Sequence, residues 1–268
     1  MAFSINGPSI SSGYSSQTSS SQSFEKLSSG SRINHAGDDA AGLAISQRLS
    51  AQLGGFDAAT RNAGNAISSI QVADGALSSL SKNIGRIQEL TLQAANGGLN
   101  DQDRQALQAE AEQLVDESSR ILEKTNFNGK ELLSSDEDSS VQLENAGTEI
   151  TVKGKDLAAE FKSLGFEDID ISSQAGANSA LSVLDKTSEA VSNRSSELGA
   201  VSNRIESTIE SIASDKVNTA EAKSRISDAD FAKVATELAA SLIREKADIA
   251  VQAQANSQRG NVLRLLQP

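Results

Sequence analysis

The sequence predicts a mostly α-helical protein, a long antiparallel helical bundle or coiled coil carrying a small β-hairpin region. Three observations point there. Apolar residues recur at a heptad spacing near both ends of the chain: Ile70, Ala73, Leu77, Leu80, Ile84 and Ile87 in the first half, and Leu184, Val191, Leu198, Ile205 and Ile212 in the second. Aromatic residues make up only 3% of the chain and Trp is absent, a composition that closely pressed helices tolerate better than sandwiches or barrels do. The only two prolines, Pro8 and Pro268, stand at the extremes, so no missing N–H interrupts a helix between them. An apolar stripe of period 3.5 is stabilised only when another covers it, so the two halves are expected to fold back on each other. Those seam residues are expected to serve subunit packing as well as the rod of one chain.

Residues 1–35 are Ser-rich, with thirteen Ser among the first 31 residues. Alone they read as disordered, and against a partner they read as helix, because no proline after Pro8 forbids it. Asp38 and Asp39 suit a helix start, where bare N–H groups and the dipole favour negative charge. The helix is expected to run to about Ala95, with Gly54-Gly55 marking a joint and Asn96-Gly97-Gly98 a stop. Asn100 or Asp101 caps the next helix, whose apolar face holds Leu107, Ala111, Leu114 and Ile121 and which ends at Asn126-Phe127-Asn128-Gly129. Val141 and Leu143, then Ile150 and Val152, alternate with polar residues on either side of Asn145-Ala146-Gly147, which predicts a hairpin near 140–153. Leu157 to Gly165 reads as a short helix. A heptad helix is expected from about 178 to 212, a polar break over 213–219, and a last helix from about Ser227.

The charge of −12, from 24 basic and 36 acidic residues, argues against nucleic acid and against an anionic membrane surface as partners. No stretch approaches the roughly 18 apolar residues of a membrane span. With no Cys there is neither a disulfide nor a Cys-ligated metal. The start also lacks the charged and apolar regions of a secretory signal, so export is expected to use another route. Catalytic motifs are missing. His35 is the single histidine, no Gly-x-Ser-x-Gly elbow presents a serine, and no P-loop is present. Asp136-Glu137-Asp138 lacks EF-hand spacing and reads as a solvated turn. Asn193-Arg194-Ser195 fits a glycosylation sequon by chance, inside a heptad helix. No enzyme activity, cofactor or metal is expected.

Motifs then narrow the reading. Leu27-Ser28-Ser29-Gly30-Ser31-Arg32-Ile33-Asn34, followed by Asp38-Asp39-Ala40-Ala41-Gly42-Leu43-Ala44-Ile45, resembles the most recognisable segment of bacterial flagellin. Further matches follow in family order: Arg61-Asn62-Ala63, Asp74-Gly75-Ala76-Leu77, Glu89-Leu90 with Gln93-Ala94, and Phe127-Asn128-Gly129. Toward the other end come Leu198-Gly199-Ala200-Val201 with Asn203-Arg204, Ser224-Arg225-Ile226 with Asp228-Ala229-Asp230-Phe231, and Asn261-Val262-Leu263 with Leu265-Leu266. The resemblance covers nearly all of the chain outside about 132–176. The first 25 residues depart from it in being richer in Ser than the usual start.

The resemblance implies a short form with only the two core domains. Residues 1–42 and 226–268 would form the terminal coiled-coil domain lining a filament channel, and 43–225 the rod-like helical domain. It implies self-association into the extracellular bacterial flagellar filament that drives swimming, and secretion by the flagellar type III apparatus. A hook–filament junction protein is the alternative. Further implied partners are an export chaperone, the filament cap and the hook-associated proteins. Chaperone and filament-core contacts would fall on Phe231, Val234, Leu238, Leu242 and Ile249. Recognition by Toll-like receptor five, the innate receptor for many flagellins, would fall on Arg86, Leu90 and Glu110.

Overall fold

The computed structural model describes residues 11–143 and 149–265. Six helices and four short strands occur in the order α1 (Ser11–Ser29), α2 (Ala40–Ala94), α3 (Asp101–Lys124), β1 (Asn126–Phe127), β2 (Lys130–Glu131), β3 (Ser139–Gln142), β4 (Glu149–Val152), α4 (Leu157–Leu164), α5 (Gln174–Ser227) and α6 (Phe231–Leu265). They form two compact units, residues 1–53 with 217–268, and residues 54–216.

The larger unit is built on the predicted seams. From residue 54 onward α2 runs antiparallel to α5. Asp57 pairs with Lys216, Asp74 accepts from Ser195, Gln88 donates to Asp185, and Gln174 donates to the Ala95 carbonyl, so partner numbers fall as α2 numbers rise. Helix α3 returns along α2: Asn83 donates to Ser118 and Arg104 to the Ala94 carbonyl. The N-cap of α3 is Asn100, whose side chain accepts from the Asp103 N–H at 2.8 Å. Its buried stripe is Arg104, Ala111, Val115, Ser118 and Leu122, while Leu107, Leu114 and Ile121 are partly buried against the same core. The three long helices α2, α3 and α5 do not complete this core alone. Leu133, Leu143 and Ile150 from the hairpin region, Leu157 and Phe161 of α4, and Phe166 add to it, and the rings of Phe161 and Phe166 pack with centroids 5.0 Å apart.

The predicted hairpin near 140–153 corresponds to β3 and β4, antiparallel with Val141 opposite Ile150, both buried; the turn at Asn145-Ala146-Gly147 lies outside the described residues. A second hairpin was not anticipated. Asn126-Phe127-Asn128-Gly129 does more than stop α3, because Phe127 pairs with Lys130 around Asn128 and Gly129, at φ 50° and 79°. Two positive φ values in a two-residue loop are what a hairpin's twist requires, and Asn-Gly supplies them at least cost. Gly154 is fixed by proximity, since a Cβ there would lie 2.3 Å from the Asp136 backbone carbon. That approach lets Asp138 and Asp136 accept from the Gly154 and Asp156 N–H groups.

In the smaller unit α1 and α6 pair antiparallel. Buried Ser20 and Ser241 share a hydrogen bond of 3.0 Å, and further along the Ala229 N–H donates to the Gly30 carbonyl. The Ser-rich start is therefore helical over 11–29 against a partner, and its small side chains permit that approach. Beyond α1 the chain is stitched to the end of α5. Arg32 donates from its backbone N–H to the Ser227 carbonyl and from its guanidinium to the Ile226 carbonyl, and Ser31 Oγ also donates to the Ser227 carbonyl. Asp39 accepts from the Gly42 N–H at 2.8 Å and starts α2, with Ile33 buried beside Gly42. Asp38 instead accepts from the N–H groups of Asn34 and His35, which hold its carboxyl below the usual aspartate range.

The joint expected at Gly54-Gly55 coincides with the boundary between the compact units, while helix α2 itself passes through unbroken. The penalty of about 1 kcal/mol per glycine is outweighed where the following turns bury Ala59 and Ala63. The polar stretch 213–219 is also helical, and α5 continues to Ser227. Polarity there marks a solvated face, and no Gly or Pro lies between 213 and 226 to stop the helix. The chain turns at Asp228–Asp230, where Asp230 accepts from the Lys233 N–H and opens α6.

Candidate functional site

The predicted site residues are surface contacts, and each can act as one only where the chain itself leaves it uncovered. The ten heptad residues are covered. Ile70, Leu77, Leu80, Ile84, Ile87, Leu184, Val191, Leu198, Ile205 and Ile212 all lie in one continuous core, none more than 5% exposed. They form the core of one chain, which leaves little of their side-chain area for contact with a neighbour.

Of the three residues assigned to receptor recognition, two stay together at the surface. The Arg86 guanidinium reaches Glu110 at 2.7 Å and Glu89 at 3.0 Å, with about half of the Arg86 and Glu110 side chains exposed. These carboxylates, Glu110 first, raise the Arg86 pKa further and keep it charged at any pH of interest. Leu90 departs from the expectation. It is 1% exposed, one turn beyond Arg86 on the inward face of α2, and it packs in the core. The seam accounts for this, since Ile87, Leu90 and Ala94 follow one another at helical spacing on the same face. Leu92, at 60% exposure, is the apolar residue that this stretch presents outward.

The α6 residues divide in the opposite sense. Val234 is buried and Leu238 half-buried, facing α1 together with Ser241. Phe231 (67% exposed), Leu242 and Ile249 (62%) are not covered, and Ile243 (69%) and Val251 join them. Phe24 on α1 is 57% exposed. Among the described residues of this unit, only Ile33 and Val234 are fully buried large apolar side chains. A helix pair with so little core and so much exposed aliphatic and aromatic surface is incomplete by itself, because apolar area in contact with water is the main driving force for association.

Sequence reasoning missed two buried arginines. Arg104 sits on the buried face of α3 and donates to the Ala94 and Asn96 carbonyls at 2.9 and 3.0 Å, closing the end of α2. Helical spacing puts Arg104 on the same face as Leu107 and Ala111, which was the available signal for its burial, and only the returning chain reveals the carbonyls it meets. Arg194, 4% exposed, lines a groove of 1140 Å³ bounded by α2, α5 and the two hairpins.

The exposed pair at the other end of the larger unit carries a pH signature. Lys216 Nζ lies 2.6 Å from Asp57 Oδ1 and, by hydrogen bond and charge, lowers the Asp57 pKa. A carboxyl lowered in the folded state stabilises above its unfolded value of about 3.9, and that contribution disappears as pH falls through the folded value. Asp57→Asn should therefore melt below wild type at pH 6. The difference should narrow on acidification, as the pH falls through the lowered folded value and both the unfolded and the folded carboxyl become protonated. A constant gap across a melting series from pH 7 to pH 2.5 would show that the pair is not its source.

Comparison with known proteins agrees with this architecture. Residues 10–138 match the bacterial flagellin N-terminal helical region, and residues 181–266 match the bacterial flagellin C-terminal helical region. A flagellin of Halalkalibacterium halodurans is 43% identical over 250 residues, covering 91% of each chain. A flagellin of Bacillus subtilis is 37% identical over 292 residues, covering 94% of each. Among solved structures, Bacillus cereus flagellin aligns with a TM-score of 0.52 at 31% identity, over 60% of this chain and 94% of that one. With two helical regions matched in order and relatives alike over nearly their whole length, this chain belongs to the bacterial flagellin family.

Proposed function

We propose that the protein is a structural subunit that polymerises into the bacterial flagellar filament used for swimming, with no catalytic role. The observation that carries this is the uncovered apolar surface of the α1–α6 pair, above all Phe231, Leu242, Ile243, Ile249 and Val251. Packed side by side, such helices from successive copies bury one another's faces, which a free chain cannot do. The buried heptad core supplies what a filament subunit needs beside this, a unit whose core is complete within one chain. The terminal domain of 1–42 with 226–268 and the rod domain of 43–225 are our functional division of the chain.

Several finer assignments follow from the same surfaces. The exposed apolar residues of α6 are those an export chaperone would shield until the chain leaves through the flagellar type III apparatus. Filament cap and hook-associated proteins would meet the same ends of the subunit. The test of the main reading is electron microscopy of purified protein seeded with sheared filament fragments. Long helical filaments are expected, whereas short rings or no polymer would favour a hook–filament junction protein.

We also infer that Toll-like receptor five contacts the monomer at Arg86 and Glu110, with Leu90 acting from beneath by holding α2 in place. An arginine at the centre of an interface is commonly worth enough that truncation costs about tenfold in affinity. Arg86→Ala should therefore cut receptor activation by monomer about tenfold in a reporter-cell assay, with the helical circular dichroism unchanged. Undiminished activation would remove Arg86 from the receptor surface.

A further inference from the structure

A groove of 1140 Å³ opens on the larger unit. Its walls are one face of α2 (Asn62, Asn65, Ser69), the β1–β2 and β3–β4 hairpins, and α5 at Arg194 and Leu198. Asn62 donates to the Gln142 carbonyl across one end. Lys130 and Lys153 stand along it against Glu131 and Glu137, so with Arg194 its charged lining is cationic in balance.

Arg194 sets its chemistry. The side chain is 4% exposed, and its one ion-pair contact, Nη1 to Glu197 Oε2, is long at 3.4 Å. Its Nε–H is buried and meets no acceptor among the described residues. Charged groups are rarely left in this condition, because a guanidinium withdrawn from water needs acceptors for its planar fork of donors. Arg104 shows what satisfaction looks like in the same unit, with acceptors at 2.9, 3.0 and 3.3 Å. Arg194 has the burial without the acceptors.

We propose that this groove receives a carboxylate side chain from a second copy of the chain, and that Arg194 is its anchor. A carboxylate matches the guanidinium fork with two parallel hydrogen bonds and supplies the charge that the groove lacks. A second copy is the fitting source. The chain carries an excess of acid, with 36 carboxylates against 24 basic residues, and a groove of 1140 Å³ with hairpin walls is far larger than a small anion needs. The proposal rests on the filament reading and adds a polar, orienting contact on the larger unit to the apolar contacts of α6. A directional bond of this kind fixes register between copies where apolar contact alone would let them slide.

The experiment uses full-length wild type, R194M, R194K and, as a surface control, R120M. Folding is followed by circular dichroism and growth by light scattering from sheared wild-type seeds. The expected result is that R194M melts within a few degrees of wild type yet polymerises at least about tenfold more slowly, as losing a charged hydrogen-bond pair predicts; R120M should grow as wild type does. In R194K filaments, a zero-length carbodiimide should join the introduced amine to an Asp or Glu of another subunit, identified by mass spectrometry using isotopically mixed filaments. A crosslink confined to Glu197 of the same chain would overturn the proposal, even if R194M folds too poorly to assay. So would R194M growing at the wild-type rate. If wild type itself does not extend the seeds, the filament reading fails and not the groove alone.

Discussion

Removal of residues 226–268 is expected to leave a chain that folds but neither polymerises nor binds an export chaperone. The deletion takes away all of α6 and with it Phe231, Leu242, Ile243, Ile249 and Val251, the exposed apolar side chains on which assembly is argued to depend. It also strips α1 of the helix that pairs with it, including the Ser20–Ser241 bond and the Gly30–Ala229 connection. A Ser-rich helix of 19 residues without a partner is marginal in water, so α1 should melt as well. The larger unit, whose core spans Ala59 to Ile212, loses none of its buried residues. The truncated chain should thus keep a cooperative thermal transition, lose helical signal in proportion to α1 and α6, and sediment as a monomer in the presence of seeds. Filaments grown from the truncated chain would refute the placement of the assembly surface.

Arg104→Met should be clearly destabilising although it alters no apolar residue of the core. The Arg104 side chain is 9% exposed and its guanidinium donates to the Ala94 and Asn96 carbonyls, while Asp101 at 3.3 Å balances its charge with a side chain 92% exposed. Methionine keeps most of the volume and removes the donors. The buried Ala94 carbonyl would be left without a donor, at about 1–3 kcal/mol, whereas the exposed Asn96 keeps the Leu99 N–H on its carbonyl. Gln174 is already engaged with the neighbouring Ala95 carbonyl. A loss of about 2 kcal/mol corresponds to roughly 4–8 °C in melting temperature for a unit of this size. Arg104→Lys should recover less than half of that, since an ammonium lacks the planar fork that spans two carbonyls. A melting temperature for Arg104→Met within 2 °C of wild type, on that same scale, would mean that water satisfies the α2 terminus equally well.

Much of the molecule is legible in the sequence because local chemistry and global packing agree there. Seven-residue spacing placed every predicted seam residue in the core, the Val141/Ile150 alternation gave a strand pair, and Asn100 capped α3. Legibility failed where one local pattern serves two outcomes. A polar run such as 213–219 is compatible with a loop or with a solvated helix face, and the continuing helix α5 decided for the second. Asn128-Gly129 can end a helix or turn a hairpin, and β2 returning beside β1 settled it.

The candidate sites divide along the same line. The sequence by itself determined that this chain is helical, that its two halves cover each other, and that it is a flagellin, because period, composition and ordered motifs are properties of the chain read in one dimension. Tertiary structure alone decided which apolar residues remain uncovered. Leu90 and Ile249 are both aliphatic residues on long helices, yet Leu90 is 1% exposed and Ile249 is 62% exposed. Likewise it put Arg104 against carbonyls and Arg194 in a groove short of acceptors. Burial and hydrogen-bond satisfaction depend on what the rest of the chain brings alongside a residue, and residue type does not carry that information.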